Sequence, residues 1–540
     1  MKIIYYFLLV ALLSSCTQKE KADLIVFNAK VYTVDEKFTI KQAFAVKNGK
    51  VLQTGTSDEI LKRFDALEKL DAEGKAIYPG FIDGHAHFFA YGSSLQQVDL
   101  TGTKSWKEIL ARLTKFASNH QEGWLIGRGW DQNDWEDKNF PDQKELNNLF
   151  PNRPVFLARI DGHAAMVNST AIELAGLTPG YKLEGGEIET KNGALTGILI
   201  DNAVRLVASK MPSLTPKLVE KALLDAQRNC FAVGLTSVTD CGLDHQAVSF
   251  IDSLQKVQKL QMRMNVMLSD RPENYKYLFK TGPIKTERLN VSSFKVYADG
   301  ALGSRGACLL APYADQAGHS GFLLSNKKHF AEVAQLIYTK GFQMCTHAIG
   351  DSANREILHV YAKVLKGKND RRWRIEHAQI ISDKDFNLFG EYSIIPSVQP
   401  THATSDMYWA KDRLGADRLK GAYAYKQLLQ QNGWLVLGTD FPVEQINPLL
   451  TFHAAVTRQD AKNYPAKGFQ SENALTRQQT LRGMTIWAAK GNFEEMKKGS
   501  LEKGKLADFV ILDQDIMTSK PEHILQAKVF HTYLNGKKVF

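Results

Sequence analysis

Eight strand-like apolar runs, separated by amphipathic stretches of helical period, constrain this chain more than any other feature. They occupy residues 76–83, 234–242, 261–268, 291–299, 341–351, 372–379, 392–400 and 433–442. Strands that alternate with helices require a parallel sheet with helical crossovers, and eight of them close a barrel. The expected fold class is therefore α/β, a (β/α)8 TIM barrel over residues 76–490. About 150 residues separate the first two runs, far more than one crossover uses. An inserted subdomain is expected at about 104–225, with "PVFLARIDGHAAMVNS" and "EGGEIETKNGALTG" as parts of it.

The two ends read differently. Residues 23–75 and 491–540 carry short alternating runs, with Asn48-Gly49 and Asn535-Gly536 between them. Asn-Gly between alternating runs is a strong hairpin signal. We expect the ends to meet in one small β-sandwich domain.

Polar residues fall where a barrel builds its active site, at the C-terminal ends of strands. His85 and His87 follow the first run two residues apart, so that in extended chain both imidazoles face one side. Lys295 lies in the fourth run, "VSSFKVYADG", where Phe294, Val296 and Ala298 form the apolar face. His347 ends the fifth run, His377 the sixth and Asp440 the eighth. Each has a bland reading alone: a core histidine, a helix cap, a lysine paired with Asp299. Five strand ends with such residues argue jointly for a metal site, since imidazole and carboxylate donors suit zinc and similar divalent ions.

These segments resemble the amidohydrolase superfamily of metal-dependent hydrolases: "PGFIDGHAH", the strand lysine, "THAIGD", "IEHAQ" and "GTDFP". "GRGWDQNDW", "DGHAAMVNS", "KVYADGALGSR" and "SVQPTHATSD" are similar to the branch containing N-substituted formamide deformylase and YtcJ-like proteins. The resemblance implies a ligand set of His85, His87, Lys295, His347, His377 and Asp440 for one or two divalent ions, zinc foremost. It implies that Lys295 is a bridging carbamate, formed from a neutral amine that burial and nearby cations favour. Asp440 would be the catalytic acid and base for hydrolysis of an amide-type C–N bond in a small-molecule substrate by metal-activated water. His163, Arg305, His402 and Trp130 are candidate substrate contacts, with Asp299 and Asp351 orienting the ligands. Ester or phosphotriester hydrolysis on the same site, or solute capture by an inert barrel, are the rival readings.

The net charge of +10 carries no block of five or more basic residues and no nucleic-acid motif, which argues against a nucleic-acid partner. The N-terminus says more. Its 11-residue apolar run, Ile3 to Leu13, is too short to span a bilayer and reads as a secretory signal over 1–15. Leu13-Ser14-Ser15-Cys16 resembles a bacterial lipobox. That resemblance implies lipidation of Cys16, a tether over 16–22 and an exported, membrane-anchored protein. The remaining cysteines, Cys230, Cys241, Cys308 and Cys345, have no metal-type spacing.

Overall fold

The computed structural model describes residues 19–120 and 122–540; the signal and lipobox readings lie outside them. Eight parallel strands run in sequence order around one sheet. They are Phe81–Ala86, Leu235–Leu243, Arg263–Ser269, Leu289–Tyr297, Gln343–Ala348, Arg374–His377, Ile395–Val398 and Val436–Leu437. Helices follow them on the outside, so both faces of the sheet are buried, as an all-parallel sheet requires. Phe294, Val296 and Ala298 lie in this outer core. Phe294 packs on Tyr275 and Phe279 of the helix Pro272–Thr281.

Closure falls between the first and eighth strands. A Cβ on Gly84 would lie 2.2 Å from Val436 Cγ1, and one on Gly438 would lie 2.5 Å from the His85 nitrogen. Only glycine lets the two backbones approach this closely. The Asp440 N–H then donates to the His85 carbonyl at 2.7 Å, and the His87 N–H to the Phe441 carbonyl at 2.8 Å. Asp83 adds a side-chain tie, accepting from the Thr439 hydroxyl at 2.6 Å.

The run 76–83 is not one strand. Ala76–Pro79 pairs with Lys30–Tyr32 and Phe509–Leu512 in a sheet outside the barrel, and Phe81–Ala86 begins the barrel. Gly80 makes the switch: its N–H donates to the Asp508 carbonyl, and a Cβ there would strike Thr236 at 2.3 Å. The terminal domain consists of this six-stranded sheet and a four-stranded sheet containing Glu20–Phe27 and Ala43–Lys47. Val26, Phe44, Ile77, Phe509 and Ile511 share the core between them. Both Asn-Gly pairs have left-handed backbone at both residues, φ 51° and 72° at Asn48-Gly49 and 51° and 70° at Asn535-Gly536, as type I′ hairpins demand. Arg263, at the start of the third barrel strand, binds Asp508 Oδ2 at 2.6 Å and ties this domain to the strands' N-terminal side.

The insertion starts earlier than 104 and ends before 225. Its six-stranded sheet begins with Val98–Asp99 and finishes with Ala194–Asp201. Residues 216–225 belong instead to the helix Pro216–Ala232, whose Leu223 and Ala226 pack in the barrel core. Trp130 is fully buried among Leu157, Met166 and Ile198 of the insertion, and its Nε1–H donates to the Leu157 carbonyl at 2.8 Å. It is a core residue of the insertion and not part of the cavity wall.

Gly84→Ala should therefore destabilise the barrel by about 1–3 kcal/mol, the usual cost of overpacking. A urea unfolding curve with an unchanged midpoint would contradict this account of closure.

Candidate metal centre

A cavity of about 680 Å³ opens at the C-terminal ends of the barrel strands, walled on one side by the insertion. His87, Lys295, His347, His377 and Asp440 line it. His85 lies just beneath, fully buried. The two-residue spacing works as the alternation requires. His85 Nε2 and His87 Nε2 lie 3.5 and 3.2 Å from the same oxygen, Asp440 Oδ1. His377 stands beside His85 with ring centroids 4.7 Å apart, and His347 beside His377 at 4.6 Å. The fully buried Lys295 reaches in from the fourth strand, its Nζ 3.5 Å from His85 Nε2.

Two of these residues sit in backbone that side chains seldom adopt. His377 has φ 73° and Asp440 φ 63°, conformations that cost of order 1–3 kcal/mol each and persist where surroundings enforce them. For Asp440 the enforcing contact is its own N–H bond to His85.

His85 and His377 are fixed from behind. His85 Nδ1 lies 2.5 Å from Glu376 Oε2. Arg374 donates to that oxygen at 2.9 Å, to the Gly84 carbonyl at 2.8 Å and to the Ser397 hydroxyl at 2.8 Å. Burial alone would raise Glu376, but Arg374 and His85 outweigh it and hold the carboxyl well below the usual range. Gln399 Oε1 meets His377 Nδ1 at 2.7 Å. Asp299 accepts the N–H groups of Cys308, Ile349 and Gly350, which fastens the loop around His347, and its Oδ1 lies 3.6 Å from His347 Nε2. Asp299 is thus committed to backbone and is no partner for Lys295. Asp351 accepts the Leu310 N–H at 2.9 Å rather than touching a histidine.

The electrostatics separate the groups. Burial would raise Asp440, yet His85 and His87 hold it well below the ordinary carboxylate range, so it is ionised at neutral pH. Burial, then neighbouring positive charge, pushes His347 and His377 well down, leaving neutral rings with free lone pairs. Lys295 departs from expectation. Burial presses it down, but its neighbours Tyr297, Cys241 and the carboxylates Glu376 and Asp440 together outweigh burial and hold it above the ordinary lysine value.

The donors suit a divalent cation. His85, His377 and Asp440 each offer a donor atom, all within 4.8 Å of one another. Asp440 Oδ1 is buried and makes no well-aligned hydrogen bond despite the two imidazole nitrogens beside it, so it keeps a lone pair for a cation.

A family model described as the amidohydrolase family matches residues 68–540. The chain belongs to that family. As an amidohydrolase it is 32% identical over 543 residues to Protein LONG AFTER FAR-RED 3 of Arabidopsis thaliana, covering 96% of this chain and 92% of that protein. It is 29% identical to the putative amidohydrolase YtcJ of Bacillus subtilis, over 94% and 98% of the two chains. It is 26% identical to the N-substituted formamide deformylase of Arthrobacter pascens, over 95% and 97%. Among solved structures, an uncharacterised metal-dependent hydrolase from Pyrococcus horikoshii superimposes with a TM-score of 0.75 at 28% identity, over 93% and 99%.

The remaining candidates divide. His163 lines the cavity, its ring 5.0 Å from His347 and its Nδ1 2.5 Å from Asp201 Oδ1. His402, on the helix Pro400–Asp406, also lines it, with Nε2 3.7 Å from Asp440 Oδ2. Arg305 does not: its guanidinium is held by Asp315 at 2.9 Å, outside the cavity lining. Sequence reasoning missed Glu376, although it directly precedes His377 in an apolar strand. It also missed Arg374 and Gln399, which reach Gly84 and His377 on other strands.

Glu376→Gln should weaken metal binding by about 10–100-fold, the usual effect of losing a carboxylate behind a metal-binding histidine. Competition with a chromophoric chelator measures this, and unchanged affinity would remove Glu376 from the site.

Proposed function

We propose that this amidohydrolase cleaves an amide-type C–N bond of a small molecule. The observation that carries the reading is the buried, ionised Asp440, whose unsatisfied Oδ1 faces two imidazole nitrogens at the floor of the cavity. His85 and His87, with Asp440, would hold one divalent ion, and His347 and His377 a second, with Lys295 between them as a carbamate. Zinc suits this nitrogen and oxygen set. When bound, such an ion polarises the substrate carbonyl and makes water nucleophilic at neutral pH.

The protein's own groups supply the proton handling. Asp440 is ionised, fixed by its backbone bond to His85 and positioned to take a proton from the attacking water. Returning that proton to the leaving nitrogen completes the cleavage. His163 and His402 both line the cavity and would orient the acyl group. Asp201 fixes the His163 ring by its Nδ1 contact. Addition of the deprotonated Lys295 amine to carbon dioxide, with release of a proton, would turn a buried cation of the centre into an anion, offsetting metal charge that the histidines and one aspartate leave largely uncompensated.

Lys295→Ala should lose both bound metal and turnover of N-formyl and N-acyl amides, and short carboxylic acids should restore part of each. Full activity in the variant would end the carbamate role. A wild-type protein that carries no metal and is inert across the amide panel would favour solute capture over hydrolysis.

We further propose that Cys16 carries a lipid and holds the enzyme at the membrane of an exporting bacterium. The lipobox-like residues 13–16 support this reading. Metabolic labelling with a fatty acid should mark the wild type and not Cys16→Ser; equal labelling of both would refute the anchor.

A further inference from the structure

Arg128 lies on the insertion strand Leu125–Trp130 and lines the cavity together with His87, His163, Lys295 and Asp440. Its guanidinium makes one hydrogen bond, from Nη2 to the Ile160 carbonyl at 2.9 Å. Its Nε is buried without a partner. Among the described residues no carboxylate pairs with it, although acids are close by. Those acids are committed elsewhere. Arg159, on the neighbouring strand, takes Asp131 and Asp161, and its Nε donates to Gln132 at 2.8 Å. The other oxygen of Asp161 accepts the His163 N–H at 2.9 Å. Two arginines thus stand on adjacent strands, one saturated and one with no carboxylate in contact with it.

An unpaired cation set into a wall is costly, and burial accordingly pushes Arg128 below the ordinary arginine value. The residue opposite its Nη1 is Gly162, in left-handed backbone at φ 74°, where an added Cβ would already stand 3.4 Å from Nη1. Gly162 itself puts no side chain against the guanidinium. Of five N–H donors in a planar fork, one is used. The complement to such a fork is a carboxylate, bound bidentately. A phosphate dianion would call for a second free guanidinium, and Arg159 on the neighbouring strand is saturated by Asp131 and Asp161.

We propose that Arg128 recognises a carboxylate carried by the same molecule as the scissile amide, so that the substrates are carboxylate-bearing amides. This rests on the amide-hydrolase reading of the centre, and it assigns to the insertion the choice of substrate. Arg128 is a specificity residue that holds the substrate's far end while the strand-end groups act on the amide.

The test compares N-formylphenylalanine with its decarboxylated counterpart, N-formylphenethylamine, on the metal-loaded full chain. Arg128→Gln should lower kcat/KM at least about 30-fold more on the carboxylate than on the neutral amide, chiefly through KM. Arg128→Lys, which keeps the charge and loses the fork, should fall between. Equal losses on both compounds, as misfolding would also produce, or a wild-type preference for the neutral amide, would overturn the proposal. Calorimetric titration of the same pair separates this inference from the reading beneath it. If neither compound is hydrolysed, the amide reading fails. Preferential binding of the carboxylate that disappears in Arg128→Gln would still support the role of Arg128. A preference that persists in the variant, or no binding of the carboxylate by the wild type, would refute it.

Discussion

The contact between the first and eighth barrel strands is the constraint on which the rest depends. Two glycines, Gly84 and Gly438, bring the backbones together closely enough for two main-chain hydrogen bonds to cross the seam. Those bonds run from Asp440 to His85 and from His87 to Phe441, so the residues that close the barrel are the ones that build the centre. The seam also forces Asp440 into left-handed backbone. A carboxylate on an ordinary strand would project alternately in or out with the pleat; here the turn aims it at both histidines of the first strand.

Behind the donors stands a rigid polar layer. Arg374 bridges the sixth strand to the first through Gly84 and to the seventh through Ser397, and Glu376 transmits that rigidity to His85. Breaking a buried ion pair of this kind is costly, commonly about 3–5 kcal/mol, so the layer resists rearrangement. Beneath the centre, Cys241, Met267 and Cys345 form a small apolar floor. It excludes water from below while leaving the cavity as the open side.

Much of this was legible in the sequence because strand periodicity fixes direction. Alternation placed Lys295 in the lumen and Phe294 against the helices, and two-residue spacing put His85 and His87 on one side. What periodicity does not encode is the partner. Trp130 and Arg305 had suitable chemistry in suitable motifs, but a core in the insertion claims the first and Asp315 the second. Boundaries failed where elements are very short. Val98–Asp99 and Val436–Leu437 are two-residue strands with no pattern to read, and one apolar run hid the switch between two sheets at Gly80. The carboxylates nearest Lys295, Glu376 and Asp440, come from the sixth strand and from just beyond the eighth, and no local window around Lys295 contains them.

The terminal β-domain has a consequence for how the chain is made. Ala76–Pro79 lies between Lys30–Tyr32 and Phe509–Leu512, so this sheet keeps an open edge while the whole barrel is being synthesised. An unpaired strand edge invites wrong partners. The hairpin at Asn48-Gly49 waits in the same way for Asn535, which it touches. Folding of the first domain to be translated is therefore the last to finish, and the barrel must form against a platform that is still incomplete.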